Sequence, residues 1–187
     1  LGYQDSMNLY QGMNMNPVNF IDPWGLTKMY YLIKEGLLII DPEKKDRKLY
    51  SIQGSSGKGE FMNDPKNTDK PFLGPIPKGT YAIHTDELSD PNFFVDIGRN
   101  FRGDWGDWRV KLHPVIVPES HGRNGFFMHG GKFKGSAGCI DVGGGLWGNR
   151  STDQLKQDIL SDVDKKVMIY VYSDAEEMIS EKCKINE

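Results

Sequence analysis

Short apolar runs separated by polar, glycine-rich stretches recur along this chain, and their length is that of strands. Met29–Ile33 and Leu37–Ile40 are two such runs, broken at Glu35-Gly36, which predicts a hairpin. Leu49–Ile52, Tyr81–His84, Phe93–Ile97, Trp108–Val117 and Phe126–Met128 continue the series. Pro114 falls inside the run from Trp108 and predicts an edge position or a break there, because proline has no N–H for a sheet ladder. Residues 54–72 are rich in Gly, Ser, Asn, Asp, Lys and Pro and read as a long loop. Later the period changes. Ser151-Thr152-Asp153-Gln154 matches a capping box, with Leu155, Ile159 and Val163 following at helical spacing, which predicts a helix over 152–162. Val167–Tyr172 is apolar on both faces and reads as a buried strand. Residues 174–183 predict a second, more polar helix. Residues 1–26 are a string of Asn-, Gly- and Pro-rich turns. The expectation is a mainly β domain with minor α over 27–187, preceded by a separate segment, 1–26.

Composition agrees with this picture. A chain of 187 residues can bury a core, but 37% hydrophobic content with 22 Gly and 10 Pro favours loop-rich β architecture over a helical bundle. The net charge of −3 argues against a nucleic-acid partner. No apolar run is long enough to span a bilayer, which argues against membrane insertion. Residues 1–26 lack the basic start and apolar centre of a secretory signal, so export is expected to rely on another carrier. The two cysteines, Cys139 and Cys183, are too few for a disulfide framework.

The chemistry concentrates in Phe126–Val142, FFMHGGKFKGSAGCIDV. A thiol performs acyl transfer when a base takes its proton and backbone N–H groups receive the developing oxyanion. His129 is the candidate base, expected at the tip of a strand ending at Met128. Cys139, ten positions on, is the candidate nucleophile. Gly130, Gly131, Gly135 and Gly138 let the chain fold back between them. The N–H groups of Gly138 and Cys139 are the candidate oxyanion hole, and Ser136 is expected to orient His129 or shape the pocket. A backbone carbonyl is the expected partner of the imidazole's other nitrogen. The bland alternative for Cys139 is a small buried hydrophobe. A zinc site of His113, His121, His129 and Cys139 fits no common ligand spacing, so no metal or other cofactor is expected. Trp105, Trp108 and Trp147 suit either a substrate groove or the core.

Two resemblances extend this reading. Asn16-Pro17-Val18-Asn19-Phe20-Ile21-Asp22-Pro23-Trp24-Gly25-Leu26 resembles the end of the Rhs-repeat core, which closes a shell around a variable toxin. That resemblance implies self-cleavage between Leu26 and Thr27, with Asp22 as the acid. His129-Gly130, followed by Ser136, Gly138 and Cys139, resembles the L,D-transpeptidase signature, and Leu73-Gly74-Pro75-Ile76-Pro77-Lys78-Gly79-Thr80-Tyr81 is similar to the strand start of that family. Ala137 stands where the usual family has a second histidine, as in its type VI secretion effectors, and Asp141 stands where it often has arginine. The resemblance implies an L,D-transpeptidase-like β-sandwich or barrel with one or two helices near the C-terminus. It also implies attack by Cys139 on a peptidoglycan stem peptide, loss of D-alanine, and a thioester resolved by water or a D-amino acid. Gly130, Trp108 and Arg123 are the candidate substrate-binding residues. Arg99, Arg102, Arg109 and Arg150 are alternatives to Arg123 for the substrate carboxylate. The implied partners are stem peptides, the Rhs shell and a cognate immunity protein, and the implied place of action is a target cell's periplasm.

Two other classes compete. An NlpC-type cysteine endopeptidase also cuts wall peptides, but there the cysteine precedes the histidine. A non-enzymatic wall-binding module would keep its effect after Cys139 is blocked.

Overall fold

The first two apolar runs pair as the hairpin their spacing demands. In the computed structural model, β1 (Lys28–Leu32) runs antiparallel to β2 (Leu37–Asp41), and Gly36 takes the positive φ of 58° that the turn requires. The structure describes residues 27–42, 47–90, 106–132, 134–145 and 148–185. Segment 1–26, with Asp22 and Leu26, and the expected strand Phe93–Ile97 lie outside them, as do Arg99, Arg102, Trp105 and Trp147.

The described residues add β3 (Tyr50–Gln53), β4 (Ser55–Gly57), β5 (Gly79–His84), β6 (Arg109–Ile116), β7 (Phe126–Gly131), β8 (Ser136–Gly144) and β9 (Lys166–Tyr172). They form one sheet in the order β3-β2-β1-β9-β5-β6-β7-β8-β4. The strands at the two ends of that order, β3 and β4, are successive in the chain and joined at Gly54 alone. The sheet therefore curls into a nearly closed barrel, which leaves few open edges. Two helices come late, α1 (Arg150–Leu160) and α2 (Ala175–Ile185). The expected fold class, mainly β with minor α and a barrel-like sheet, is the one observed.

Strand alternation sorts side chains between two apolar clusters. Met29, Tyr31 and Ile33 join the main core with Val110, Leu112, Phe126, Met128, Ile140, Val142 and Ile169. Leu32 and Ile39 face the other way and pack with Met178 of α2 and with Tyr30, Leu37 and Tyr172. There Tyr30 stacks on Tyr170 with 5.5 Å between ring centroids, and the Lys182 ammonium sits 3.8 Å from the Tyr30 ring. Helix α1 adds Leu155 and Ile159 to the main core, each worth about 1.5–3 kcal/mol of burial.

Three details depart from expectation. Strand β4 falls inside the expected loop 54–72. Helix α1 begins two residues early because Asn149, not Ser151, is its cap: the Asn149 carboxamide accepts from Ser151 and Thr152 N–H at 2.9 and 3.0 Å, and the Thr152 hydroxyl accepts from Asn149 N–H at 2.8 Å. Strand β6 runs through Pro114. It pairs with β7 only over Arg109–Leu112, and its register with β5 slips between Thr80 and Tyr81, so the proline sits where one side of β6 is unpaired.

Candidate functional site

Strands β6, β7 and β8 carry the site. Arg109 is directly paired with His129 across the antiparallel β6–β7 ladder, and His129 with Asp141 across the parallel β7–β8 ladder. Met128 is paired with Ile140, and both lie in the main core. Their neighbours Phe127, His129, Cys139 and Asp141 therefore turn to the opposite face. On that face Cys139 is a diagonal neighbour of His129, two residues before its direct partner. The nine intervening residues bring base and nucleophile onto one face by strand pairing, not by the expected bend after a strand tip. His129 lies within β7, which continues to Gly131.

The imidazole is buried, 4% exposed, and its Nδ1 lies 2.5 Å from the Gly130 carbonyl oxygen. A carbonyl only accepts, so Nδ1 carries the proton in this contact. This is the backbone carbonyl expected to hold the ring. Gly130 is wedged between backbones: a Cβ on it would lie 2.9 Å from Gly143 O, and a Cβ on Gly106 would lie 2.4 Å from the Gly130 carbonyl carbon. Its visible contribution is to the imidazole.

Cys139 is 8% exposed and unpaired with Cys183, which lies exposed on α2. Burial pushes the thiol above its ordinary range. Opposing that are a hydrogen bond from the Phe127 N–H and the positive charges of Arg123 and Lys58, while Asp141 adds to the upward push. Burial outweighs them, so the net push on the thiol is upward. Gly138, just before it, has a φ of 92°, and the Ser136 hydroxyl donates to the Cys139 carbonyl at 2.5 Å. Ser136 thus braces the start of β8, which carries the nucleophile.

Arg123 lies close to this start of β8, but its guanidinium is already engaged. Nη1 donates to the carbonyls of Thr68 and Pro75 at 2.5 and 2.7 Å, and Nη2 to that of Gly74 at 3.0 Å. Trp108 requires correction as a substrate-binding residue: it is 0% exposed, packed in the main core, and its indole Nε1 has no hydrogen-bond partner among the described residues. Among the described residues, no cluster of three or more His, Cys, Asp or Glu is arranged to hold a metal ion. His113 instead pairs with Glu87, Nε2 to Oε2 at 2.6 Å. Sequence reasoning missed Lys58. It follows β4, whose Gly57 is paired with Ser136, and it is exposed with its charge acting on Cys139. Thr27, expected to begin the released domain, is buried, and its N–H donates to the buried Asp162 carboxylate at 2.9 Å.

The sheet, the late helices and the shared face define a mainly β, barrel-like domain with a cysteine and a histidine side by side on neighbouring strands. Residues 51–166 match the Tlde1 domain, a type VI secretion effector family, and the chain belongs to that family. No curated protein matches the sequence. Among solved structures, Bd1075 of Bdellovibrio bacteriovorus is similar with a TM-score of 0.50 at 13% identity, over 86% of this chain and 54% of that one. The helical cell shape determining protein Pgp2 of Campylobacter jejuni is similar with a TM-score of 0.49 at 17% identity, over 80% and 48%. An L,D-transpeptidase from Mycobacterium smegmatis has a TM-score of 0.36 at 17% identity, over 78% and 58%. The chain spans about half the length of these proteins. At 13% identity the likeness to Bd1075 bears on the fold alone. No helix among the described residues is long and apolar enough to cross a membrane.

Proposed function

We propose that this effector domain acts on peptidoglycan stem peptides by cysteine acyl transfer, as an L,D-carboxypeptidase, a D-amino-acid exchange enzyme or both. The observation that carries the reading is the shared face of β7 and β8. There a buried imidazole whose Nδ1 is held by the Gly130 carbonyl is diagonal to a buried thiol that follows the positive-φ Gly138 in β8. Cys139 Sγ attacks the carbonyl carbon of the stem's third residue while its proton passes to His129 Nε2. The Gly138 and Cys139 N–H groups receive the oxyanion. The carbon–nitrogen bond then breaks, D-alanine leaves with the proton from His129, and a thioester remains. Water or the amine of a D-amino acid attacks that thioester, giving a proton to His129, and the thiolate departs and is reprotonated.

The wider reading goes with it. Residues 1–26 end an Rhs shell, cleavage with Asp22 frees Thr27 from Leu26, and the domain acts in a target cell's periplasm while an immunity protein guards the producer. The test is mass spectrometry of purified muropeptides incubated with the protein, with and without D-methionine. Loss of one D-alanine, or its replacement by D-methionine, is expected from the parent and from neither Cys139→Ala nor His129→Ala. Release of larger peptides would point to an endopeptidase. Unchanged muropeptides, with toxicity that survives alkylation of Cys139, would point to a binding module.

A further inference from the structure

Arg123 binds no substrate in the chemistry above, yet it is the best-anchored cation near the nucleophile. We propose that Arg123 is a positioning residue for Cys139: its guanidinium, held by the carbonyls of Thr68, Gly74 and Pro75 and seated against Gly138, locks the 68–75 loop to the nucleophile strand and fixes a positive charge beside the sulfur. The proposal rests on Cys139 being the acting thiol.

Three observations meet in this residue. First, its three acceptors are neutral carbonyls, at 2.5, 2.7 and 3.0 Å. A planar fork suits such an arrangement, and carbonyls hold a guanidinium without cancelling its charge. No carboxylate bridges Arg123 among the described residues. Asp69 acts on it only at longer range and itself bridges Lys70 at 3.3 Å. Second, the guanidinium occupies the space that a side chain at position 138 would need. A Cβ on Gly138 would lie 2.2 Å from Nη2, so a side chain there would have to displace the guanidinium from its seat, and the φ of 92° separately favours glycine. Third, the guanidinium lies over the Phe126 ring, 5.5 Å from its centroid, and that ring meets Tyr81 edge-on at 5.9 Å. The cation is thereby fixed to β7 and β5 as well as to the loop.

The loop it holds is organised in its own right. Gly74 N–H donates to Lys70 O at 2.9 Å, Lys58 N–H donates to Leu73 O at 2.7 Å, and a Cβ on Gly74 would collide with Asn67 O. A single side chain thus joins this loop to the strand that carries the nucleophile. The charged and titratable groups facing Cys139 are Arg123, Lys58 beyond β4, Asp141 on β8 and His129 on β7. Lys58 is exposed and screened by salt, whereas Arg123 is part-buried and screened far less.

The test is the pH dependence of Cys139 alkylation by iodoacetamide in the full chain carrying Cys183→Ser, comparing Arg123 with Arg123→Gln, Arg123→Met and Arg123→Lys. Removal of the charge should move the alkylation midpoint up by about one pH unit, the lower end for an opposite charge at close range. That shift should persist in high salt, while any shift in Lys58→Gln should fade. Arg123→Lys keeps the charge but loses the fork, so its midpoint should stay near the parent's while the 68–75 loop becomes easier to proteolyse. A folded Arg123→Gln or Arg123→Met with the parent's midpoint overturns the proposal, as does Arg123→Lys with unchanged loop proteolysis. If the neutral variants unfold, refolding of Arg123→Ala by added guanidinium supports a site-specific role. No refolding makes Arg123 a general fold residue and overturns the positioning role. Alkylation needs no peptidoglycan, so a shifted midpoint with unprocessed muropeptides fails only the proposed substrate. Processed muropeptides with an unshifted midpoint fail only this inference.

Discussion

Two arginines tie loops to this barrel, with opposite electrostatics. Arg47 reaches the buried carboxylate of Asp158 on α1, which also accepts the Tyr50 hydroxyl at 2.8 Å. Cation and anion meet, and burial and the neighbouring carboxylate push the Tyr50 phenol far above its usual range, so it stays a donor. Arg123 performs a similar mechanical task with carbonyls alone. The first cluster pairs its charges, and neither Arg47 nor Asp158 is among the groups that act on the Cys139 thiol. The second keeps its charge and lies beside Gly138. A barrel of this size can anchor a loop with either device, but only the second leaves a field for chemistry to use.

That contrast matters only if Cys139 is the acting thiol, so its loss should give the largest effect. Cys139→Ala should abolish muropeptide processing while the circular dichroism spectrum stays that of the parent. Residual processing above a tenth of the parent rate would remove the thiol from the mechanism, and the meaning of the Arg123 field with it. His129→Ala should cost about 10²- to 10⁴-fold in the same assay, the usual contribution of a positioned acid–base group.

The closed cluster should respond in stability instead. Asp158→Ala strands the Arg47 charge and the Tyr50 hydroxyl. Arg47 is partly exposed, so we expect about 2–3 kcal/mol, below the full cost of breaking a buried pair. The melting temperature should fall with no change in the pH midpoint of Cys139 alkylation. A moved midpoint would show that the two arginines are not electrically separate, and the contrast drawn above would fail.

How much of this was legible in the sequence depended on which groups carry the burial. Strands β1, β2, β5 and β9 bury apolar side chains, so their runs announce them. Strand β4 is Ser55-Ser56-Gly57, and its fixing comes from polar bonds: Ser55 Oγ accepts from Gly135 N–H and Ser56 Oγ from Ile76 N–H, each at 2.8 Å. Nothing in a hydropathy pattern marks such a strand. His129 and Cys139 were legible as a motif, but their meeting across a parallel ladder was not, because parallel register is a property of the whole sheet. Arg123 was one arginine among several. Its role depends on three carbonyls 48 to 55 positions away, and a side chain that bonds only backbone leaves no trace in the identity of its partners.

A smaller effect comes from the thiol's raised pKa. Above about pH 8.5 an unfolded cysteine releases its proton, while buried Cys139 keeps its own. The unfolded state then binds fewer protons, so stability falls as pH rises past that value. Cys139→Ser removes this term. The parent should therefore lose more stability than the serine variant between about pH 8 and 10, measured by urea unfolding in the Cys183→Ser background. Equal losses would mean that the thiol titrates in the fold as it does in the open chain, and the balance of burial against Phe127, Arg123 and Lys58 would have to be redrawn.

The smallest expected effect is none at all. Cys183 is exposed on α2, a helix whose described core contact is Met178 on a cluster separate from the β7–β8 face. A serine there exchanges one small polar surface group for another, so both melting temperature and muropeptide processing should stay at parental values. The variant still decides something, because an exposed thiol reacts with iodoacetamide before a buried one. Parental alkylation should therefore be biphasic and the Cys183→Ser trace should retain only the slow phase. If the slow phase disappears instead and the fast one survives, Cys139 is the faster thiol, and the shielding and upward push that burial gives it would have to be withdrawn.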